Sequence, residues 1–343
     1  MSLKSELLQR GNSLNIIRLL MAILVIVDHA RLQITANFSE RYAFPYSSFA
    51  VGVFFIISGF LIFHSTQKGN PFSYMWRRGL RIFPGYWGSL LVVAFIFAPI
   101  NIIVAGETWS PESSLNHVLG NFSLISPWWR WDVQGSPYNV PLPGLWNSPL
   151  WTLRYEILSY GLLVFFASSS RLRAYQKAIV PIIFCLLMGF GAYSNVDPNF
   201  IPFLKNFFDL GSYFLAGSLI YVYSDKLKIM KEYAILSLVL GLSLQLVSEE
   251  QDFYIYLSKL FIAYSVLQLG AIVKTDFASK IDISYGVYIY AWPVQQMLIF
   301  FGSANWGVVI NIFLTLILTI PIAWISWRYI EKPCLRSKDI FRK

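Results

Sequence analysis

Charged residues are scarce in this chain: Asp, Glu, Lys and Arg make up 13% of its 343 residues. A soluble domain carries about 25% charged residues, whereas 56% of the residues here are hydrophobic. Apolar runs recur from one end of the chain to the other, so the composition excludes an ordinary soluble domain. It indicates a protein that crosses a membrane several times.

Cysteine and histidine are also rare, with two and three copies. Cys185 lies in an apolar segment and Cys334 in the basic tail, so we expect no disulfide between them. The histidines and cysteines form no cluster with the spacing of metal ligands, so the sequence predicts no metal site. No small-residue cleavage site follows the first apolar segment, so we expect no removable signal peptide.

Ten apolar segments are each near the length that crosses the hydrocarbon core. They predict an all-α, polytopic membrane bundle of about ten transmembrane helices. No linker, repeat or low-complexity stretch interrupts the chain, so we expect one domain over residues 1–343. The predicted spans are 14–35, 47–66, 82–104, 150–168, 177–193, 208–223, 233–249, 254–273, 284–301 and 307–329.

Lysine and arginine are distributed unevenly between the two sides that these spans define. If the N-terminus is inside, the inner side receives most of them, including segment 77–81 and the tail 328–343. This distribution follows the positive-inside rule and predicts that both termini are cytoplasmic. The net charge of +9 then reflects membrane topology, so we expect contact with membrane lipids and no nucleic-acid partner.

The longest connection, 105–149, then lies outside and is rich in tryptophan. One interpretation is an aromatic belt at the membrane interface. The other is a lid whose flat rings stack on sugar faces, and both can hold at once. On the second interpretation the candidate substrate-binding residues are Trp128, Trp131 and, in the span that follows, Trp151.

The first span carries several ionisable residues, and two of them, Arg18 and His29, are eleven positions apart. That spacing is about three helical turns, so both side chains point to nearly the same side, roughly 16 Å apart along the axis. A charge that faces hydrocarbon costs at least a few kcal/mol. The pair therefore indicates a polar path inside the bundle.

Arginines also cluster just before the third predicted span. Arg78 and Arg81 share a helical face, and Arg77 lies one residue before that face. A guanidinium can donate two parallel hydrogen bonds to phosphate oxygens, so one interpretation is a phosphate-binding site at the inner membrane surface. The other is an ordinary positive-inside anchor.

The fourth span places Thr152, Glu156 and Tyr160 on one face. Glu156 and His29 each lie about six residues inside the outer end of their spans, so both are expected about 9 Å deep. Matched depth suits a histidine base and a carboxylate that orients it. The alternative is two unrelated polar residues facing a water-filled cavity.

Three further residues carry weaker expectations. His64 lies at the inner end of the second span and is expected at the interface. His117 is expected to be solvated in the outer loop, with contact to the acceptor as the alternative. Lys259 is expected to snorkel or to pair internally.

In chain order, the motifs resemble those of the acyltransferase-3 family of integral membrane acyltransferases. The resemblance spreads over nearly the whole chain, and it is the combination of motifs that is specific. The matching elements are Arg18 with ten residues before His29, "FFIISGFLIF" (54–63), "RRGLRIFPGYW" (77–87), "WTLRYE" (151–156), "SYGVYIYAWPVQQ" (284–296) and "EKPCLR" (331–336).

The resemblance implies transfer of an acyl group, usually acetyl, from cytoplasmic acyl-CoA to a hydroxyl of a cell-surface or lipid-linked glycan. It implies a bacterial cytoplasmic membrane, acetyl-CoA as donor substrate and no tightly bound cofactor. It also implies that His29 is the essential histidine and that Arg78 and Arg81 form the family's Arg-x-x-Arg element. Many members have a histidine where this chain has Trp292, so no role for that histidine carries over.

These observations together predict a reaction path. Arg77, Arg78 and Arg81 are the candidate donor-binding residues, and His29, Glu156 and Arg18 are the candidate catalytic residues. His29 would act as a base, with an acyl-histidine intermediate as the alternative. One rival function is a transporter or flippase, which predicts inverted repeats that we do not find in the sequence. Another is a glycan polymerase, which would favour a larger outer loop.

Overall fold

A computed structural model describes residues 2–9, 11–37, 46–67, 70–197, 199–247, 253–275 and 281–340. Within these ranges the chain is helical and contains no named strand. The helices are α1 (Leu3–Leu8), α2 (Leu14–Thr35), α3 (Tyr46–Thr66), α4 (Pro71–Val92), α5 (Ala98–Val104), α6 (Pro111–Asn121), α7 (Trp151–Ser168), α8 (Ser170–Ala174), α9 (Gln176–Val196), α10 (Pro202–Tyr223), α11 (Lys231–Val247), α12 (Phe253–Ile272), α13 (Ser284–Phe300), α14 (Val308–Ser326) and α15 (Lys332–Leu335).

Nine of the ten predicted spans each overlap one of these helices, and span 82–104 covers the end of α4 and all of α5; residues 248–249 lie outside the described ranges. The charges of Arg18, Asp28 and Arg31 lower the apolar character of α2, and α11 and α13 have only 17 residues each. Among the described residues, six helices are long and apolar enough to cross a membrane: Tyr46–Thr66, Pro71–Val104, Ser148–Ser168, Gln176–Val196, Phe253–Ile272 and Val308–Asp339. A helical membrane protein is thereby supported, and the count of about ten spans and the side of the termini stay predictions.

The arginine cluster lies inside a helix and not before one. Helix α4 begins at Pro71, where the Asn70 side chain accepts a hydrogen bond from the Ser73 amide at 2.9 Å and so caps the first turn. It continues through a π-helical turn, Val93–Phe97, into α5. The predicted span 82–104 starts late because the basic first turns of this helix hide it from a search for apolar residues.

Glycines bring α3 and α10 into close contact. A Cβ atom on Gly59 would lie 1.9 Å from the Phe214 carbonyl oxygen, and one on Gly217 would lie 2.0 Å from the Ile56 carbonyl oxygen. The Ser218 hydroxyl donates a hydrogen bond to the Gly59 carbonyl at 3.1 Å across the same contact. Small residues let membrane helices approach in this way, and here they fix the wall that carries Ser58.

Helix α13 is buried along almost all of its length and packs against α2, α4 and α14. It therefore links two ends of the bundle. The arginine end holds Arg18, Arg81 and the start of α13, and the histidine end holds His29 and the first turns of α3 and α7. The segment 105–149 docks on the histidine end, where the Gln296 amide donates to the Leu145 carbonyl at 2.9 Å.

Candidate active site

Two arginines from different helices meet on one carboxylate at the arginine end. Asp282, just before α13, accepts hydrogen bonds through Oδ2 from Arg18 Nη1 at 2.9 Å and from Arg81 Nη2 at 2.6 Å. Its Oδ1 accepts a third from the Ser284 hydroxyl at 2.6 Å. Burial opposes the charged carboxylate, yet the two arginines and Ser284 hold the pKa of Asp282 well below its usual range.

The other two arginines of α4, Arg77 and Arg78, differ in their partners. Arg77 turns toward Ser73, with Nη2 donating to its hydroxyl at 3.0 Å, and toward Asp339 at 3.7 Å. Arg78 makes no hydrogen bond or ion pair within the described ranges, and its Nε is buried without a partner. Arg78 and Arg81 also repel each other electrostatically. A bound anion would satisfy Arg78 and relieve that repulsion.

Glu156 belongs with the arginine end. Its Oε1 accepts hydrogen bonds from the Ser58 hydroxyl at 3.1 Å and from the Tyr160 hydroxyl. It is close enough to Arg18 and Arg81 to interact with both electrostatically. The predicted shared face of α7 is real, since Thr152, one turn before Glu156, also points inward and bonds to another helix, at the Tyr288 hydroxyl.

His29 lies at the opposite end, in the wall of a cavity of about 390 Å³. Its ring contacts the indole of Trp292 edge to face, with centroids 4.8 Å apart and planes at 78°. Neither ring nitrogen takes part in a hydrogen bond with any residue that the structure describes. The cavity wall also includes residues from α3, α7, α9, α10, α11, α12 and α13.

His29 and Glu156 do not form the predicted pair. Trp151 and Thr152, in the first turn of α7, line the cavity with His29, whereas Glu156 does not line it and is hydrogen-bonded to Ser58 and Tyr160. The expectation of matched depth stays a prediction. The catalytic roles of His29, Glu156 and Arg18 stay predictions.

The three predicted tryptophans lie in different places. Trp151 lines the cavity with His29. Trp128 is 76% exposed and Trp131 is 36% exposed, both in segment 105–149 and outside that cavity. A stacking role near His29 is therefore open to Trp151, and the roles of Trp128 and Trp131 stay predictions.

The weaker expectations have mixed outcomes. His117 is buried, and its Nδ1 hydrogen-bonds the Asp132 carbonyl at 2.8 Å, so the expectation of a solvated histidine is wrong. Burial lowers the pKa of the His117 imidazole in spite of that hydrogen bond. Lys259 pairs internally with Asp209, as one of the two alternatives predicted.

Sequence reasoning missed two residues that organise these sites. The sequence did offer a signal for Asp282, because it is an acidic residue just before an apolar span, on the side of the protein that is otherwise basic. Trp292 was noted only as a departure from a motif, yet it packs on His29 and donates through Nε1 to the Leu145 carbonyl at 3.1 Å. It thereby ties the docked segment 105–149 to the histidine.

Comparisons with known proteins match nearly the whole chain. The family model described as an acyltransferase domain matches residues 12–328. A protein of Shigella phage Sf6 named "O-acetyl transferase" is 26% identical over 332 residues, which cover 95% of this chain and 96% of the phage protein. No solved structure matches the chain.

Proposed function

The chain belongs to the acyltransferase-3 family, and on this basis we propose that it transfers an acyl group from cytoplasmic acyl-CoA to a hydroxyl of a cell-surface or lipid-linked glycan. The name of the phage relative supports acetyl as the group and oxygen as its acceptor. In this proposal the protein lies in the cytoplasmic membrane of a bacterium. Both termini and the arginine end are cytoplasmic, and the histidine end faces outward.

One observation carries the proposal: α2 links a cluster of partly buried arginines to a histidine that lines a cavity at the other end of the bundle. Arg18 and His29 are roughly 16 Å apart along the helix axis. A donor with a phosphate-bearing head and a long thin arm suits that separation. The head would stay on one side of the membrane while its thioester reaches the other.

At the arginine end, Arg78 is the leading phosphate ligand because its guanidinium has no partner among the described residues. Arg81 and Arg18 both donate hydrogen bonds to Asp282. A phosphate would bind to these two arginines either beside the Asp282 carboxylate or in its place. Arg77 lies beside this group and would add positive charge without direct contact.

At the histidine end, His29 would remove the proton from a sugar hydroxyl while the hydroxyl oxygen attacks the thioester carbon. The carbon–sulfur bond then breaks, and the proton leaves with CoA as its thiol. In the alternative, a His29 nitrogen attacks the thioester carbon first, and the carbon–sulfur bond breaks to release CoA. The sugar hydroxyl oxygen then attacks the acyl-imidazole, the acyl–nitrogen bond breaks, and the hydroxyl proton passes to the imidazole. Glu156, bonded to Ser58 and Tyr160, would act on the arginine end and not on the imidazole.

The test uses the purified protein in lipid nanodiscs with radiolabelled acetyl-CoA. The acceptor is the surface polysaccharide of the producing cells, freed of its esters by mild alkali. We expect free CoA and alkali-labile label on the polysaccharide in equal amounts. Glycan movement across vesicles with no release of CoA would instead favour a transporter or flippase and overturn the proposal.

A further inference from the structure

A buried ion pair lies in the wall of the His29 cavity and has no part in the chemistry above. Lys259 of α12 is 1% exposed and bonds to Asp209 of α10. Its ammonium donates to Asp209 Oδ1 at 2.5 Å, to the Asp209 carbonyl at 3.0 Å and to the Ser212 hydroxyl at 2.9 Å. A lysine ammonium has three hydrogens, so all of its donors are used.

Stability alone accounts poorly for this pair. A charged side chain within a membrane bundle is energetically costly, and a buried ion pair is often no more stabilising than well-packed apolar residues. The rings of Tyr213 and Tyr256 lie 4.5 Å and 4.0 Å from the ammonium and hold it by cation–π contacts. The hydrogen bonds and the two rings therefore fix the position of the Lys259 ammonium.

Asp209 differs from its partner in exposure. Its side chain is 47% exposed and lines the cavity, whereas Lys259 is enclosed. Lys259 uses only one carboxylate oxygen, and Oδ2 accepts no hydrogen bond in the described part of the chain. The pair thus presents a fixed, charged hydrogen-bond acceptor on the same cavity that His29 lines.

The neighbours of Asp209 fit a hydroxyl-rich ligand. Lys205 and Asn206 line the same wall and offer donors, and the Gln245 amide, which donates to the Tyr213 hydroxyl at 2.8 Å, adds a further polar group. Trp151 supplies an aromatic surface across the cavity. Sugars need this combination, because each hydroxyl both donates and accepts while the ring faces are apolar.

We propose that the α10–α12 wall is the acceptor subsite, in which Asp209 accepts a hydrogen bond from a hydroxyl of the glycan's sugar residue and Lys259 is the residue that positions it. This inference rests on the proposed function and adds the place of the acceptor to it. Asp209 holds the sugar opposite His29, so that a second hydroxyl of the same residue can reach the imidazole.

The experiment measures initial rates of acetyl transfer against the concentration of the de-esterified polysaccharide, with acetyl-CoA saturating. D209N keeps the size of the side chain and removes the charge, so we expect the acceptor KM to rise roughly 10- to 100-fold. The acetyl-CoA KM and acetyl-CoA binding should stay within about twofold of the wild type. D225N is the matched control, since Asp225 pairs with Lys4 outside this cavity.

Lys259 is tested by a double-mutant cycle. K259Q should raise the acceptor KM, and the D209N/K259Q double variant should be no worse than D209N alone, because Lys259 acts through Asp209. Gel filtration of each variant checks folding. A wild-type acceptor KM in D209N would overturn the inference, as would equal losses of acceptor use and acetyl-CoA binding. If the wild-type protein transfers no acetyl group, the proposed function fails first.

Discussion

At the scale of single residues, the three histidines differ in what their ring nitrogens do. His64 Nδ1 is hydrogen-bonded to the Tyr221 hydroxyl at 2.9 Å, and His117 Nδ1 to the Asp132 carbonyl. His29 has no hydrogen bond among the described residues and lines the cavity. The availability of the His29 nitrogens is what a base or a nucleophile needs, and sequence position alone did not reveal it.

His29→Gln should therefore lower acetyl transfer by roughly 10²–10⁴-fold, because an amide cannot accept a proton at neutral pH. Acetyl-CoA binding should be unchanged, since Arg18 is at the other end of α2 and the remaining proposed phosphate ligands are on α4. The measurement is label transfer to the polysaccharide, with His64→Ala as the control that keeps its activity. If His29→Gln transfers acetyl at close to the wild-type rate, His29 is not the base and another residue has that role.

Arg78→Ala should weaken acetyl-CoA binding by about 1.5–3 kcal/mol through the loss of charge-assisted contacts. Thermal stability should hardly change, because Arg78 has no hydrogen-bond partner to lose in the described ranges. Binding of a non-hydrolysable acyl-CoA analogue measures the effect, and Arg77→Ala is the neighbouring control. Unchanged affinity in Arg78→Ala would make this arginine a topology anchor.

Asp282→Asn should destabilise the protein at pH 7 by about 3 kcal/mol, since it leaves Arg18 and Arg81 without their shared anion. The pKa of Asp282 is depressed, so its charge stabilises the fold fully above about 3.9, the pKa of an unfolded aspartate, and less as the pH falls below that. The difference in melting temperature between the two proteins should stay constant from pH 7 to about pH 4 and shrink progressively below that. A difference that does not shrink at low pH would contradict this account.

At the scale of helices, the sequence predicted where helices lie along the chain better than it predicted the contacts between them. Hydropathy finds where a helix is apolar, so each predicted span falls on a helix, but it cannot see the basic first turns of α4. The partners of Glu156 were not predicted: it hydrogen-bonds Ser58 and Tyr160 and does not line the cavity of His29. Such contacts depend on packing between helices, which no single segment encodes.

The contact between α3 and α10 provides a test at the same scale. Gly217→Val should prevent these helices from packing, because its side chain would collide with the Ile56 carbonyl, which is backbone and cannot move aside. We expect aggregation or loss of the monodisperse peak in gel filtration. Gly161→Ala is the control, since a Cβ there has open space. Normal folding of Gly217→Val would show that the two helices can separate.

At the scale of the whole molecule, the motifs that predicted the family are the residues that join helices. Ser58 and Gly59 of "SGF" bind Glu156 and allow α10 to approach, and Ser284 and Trp292 of the α13 motif hold Asp282 and contact His29. The resemblance therefore pointed to the right elements. The partners themselves, such as Asp282, could not be read from spacing because they come from distant parts of the chain.

The orientation of the bundle decides whether donor and acceptor meet from opposite sides. In a background with Cys185→Ser and Cys334→Ser, Ser48→Cys in the wall of the His29 cavity should react with a membrane-impermeant maleimide added to intact cells. Asp225→Cys, on the side that the positive-inside rule places in the cytoplasm, should react only after permeabilisation. The de-esterified polysaccharide should slow labelling of Ser48→Cys, because the acceptor and the reagent would compete for one cavity. The reverse labelling pattern would place the cavity in the cytoplasm, and a surface glycan could not then reach His29.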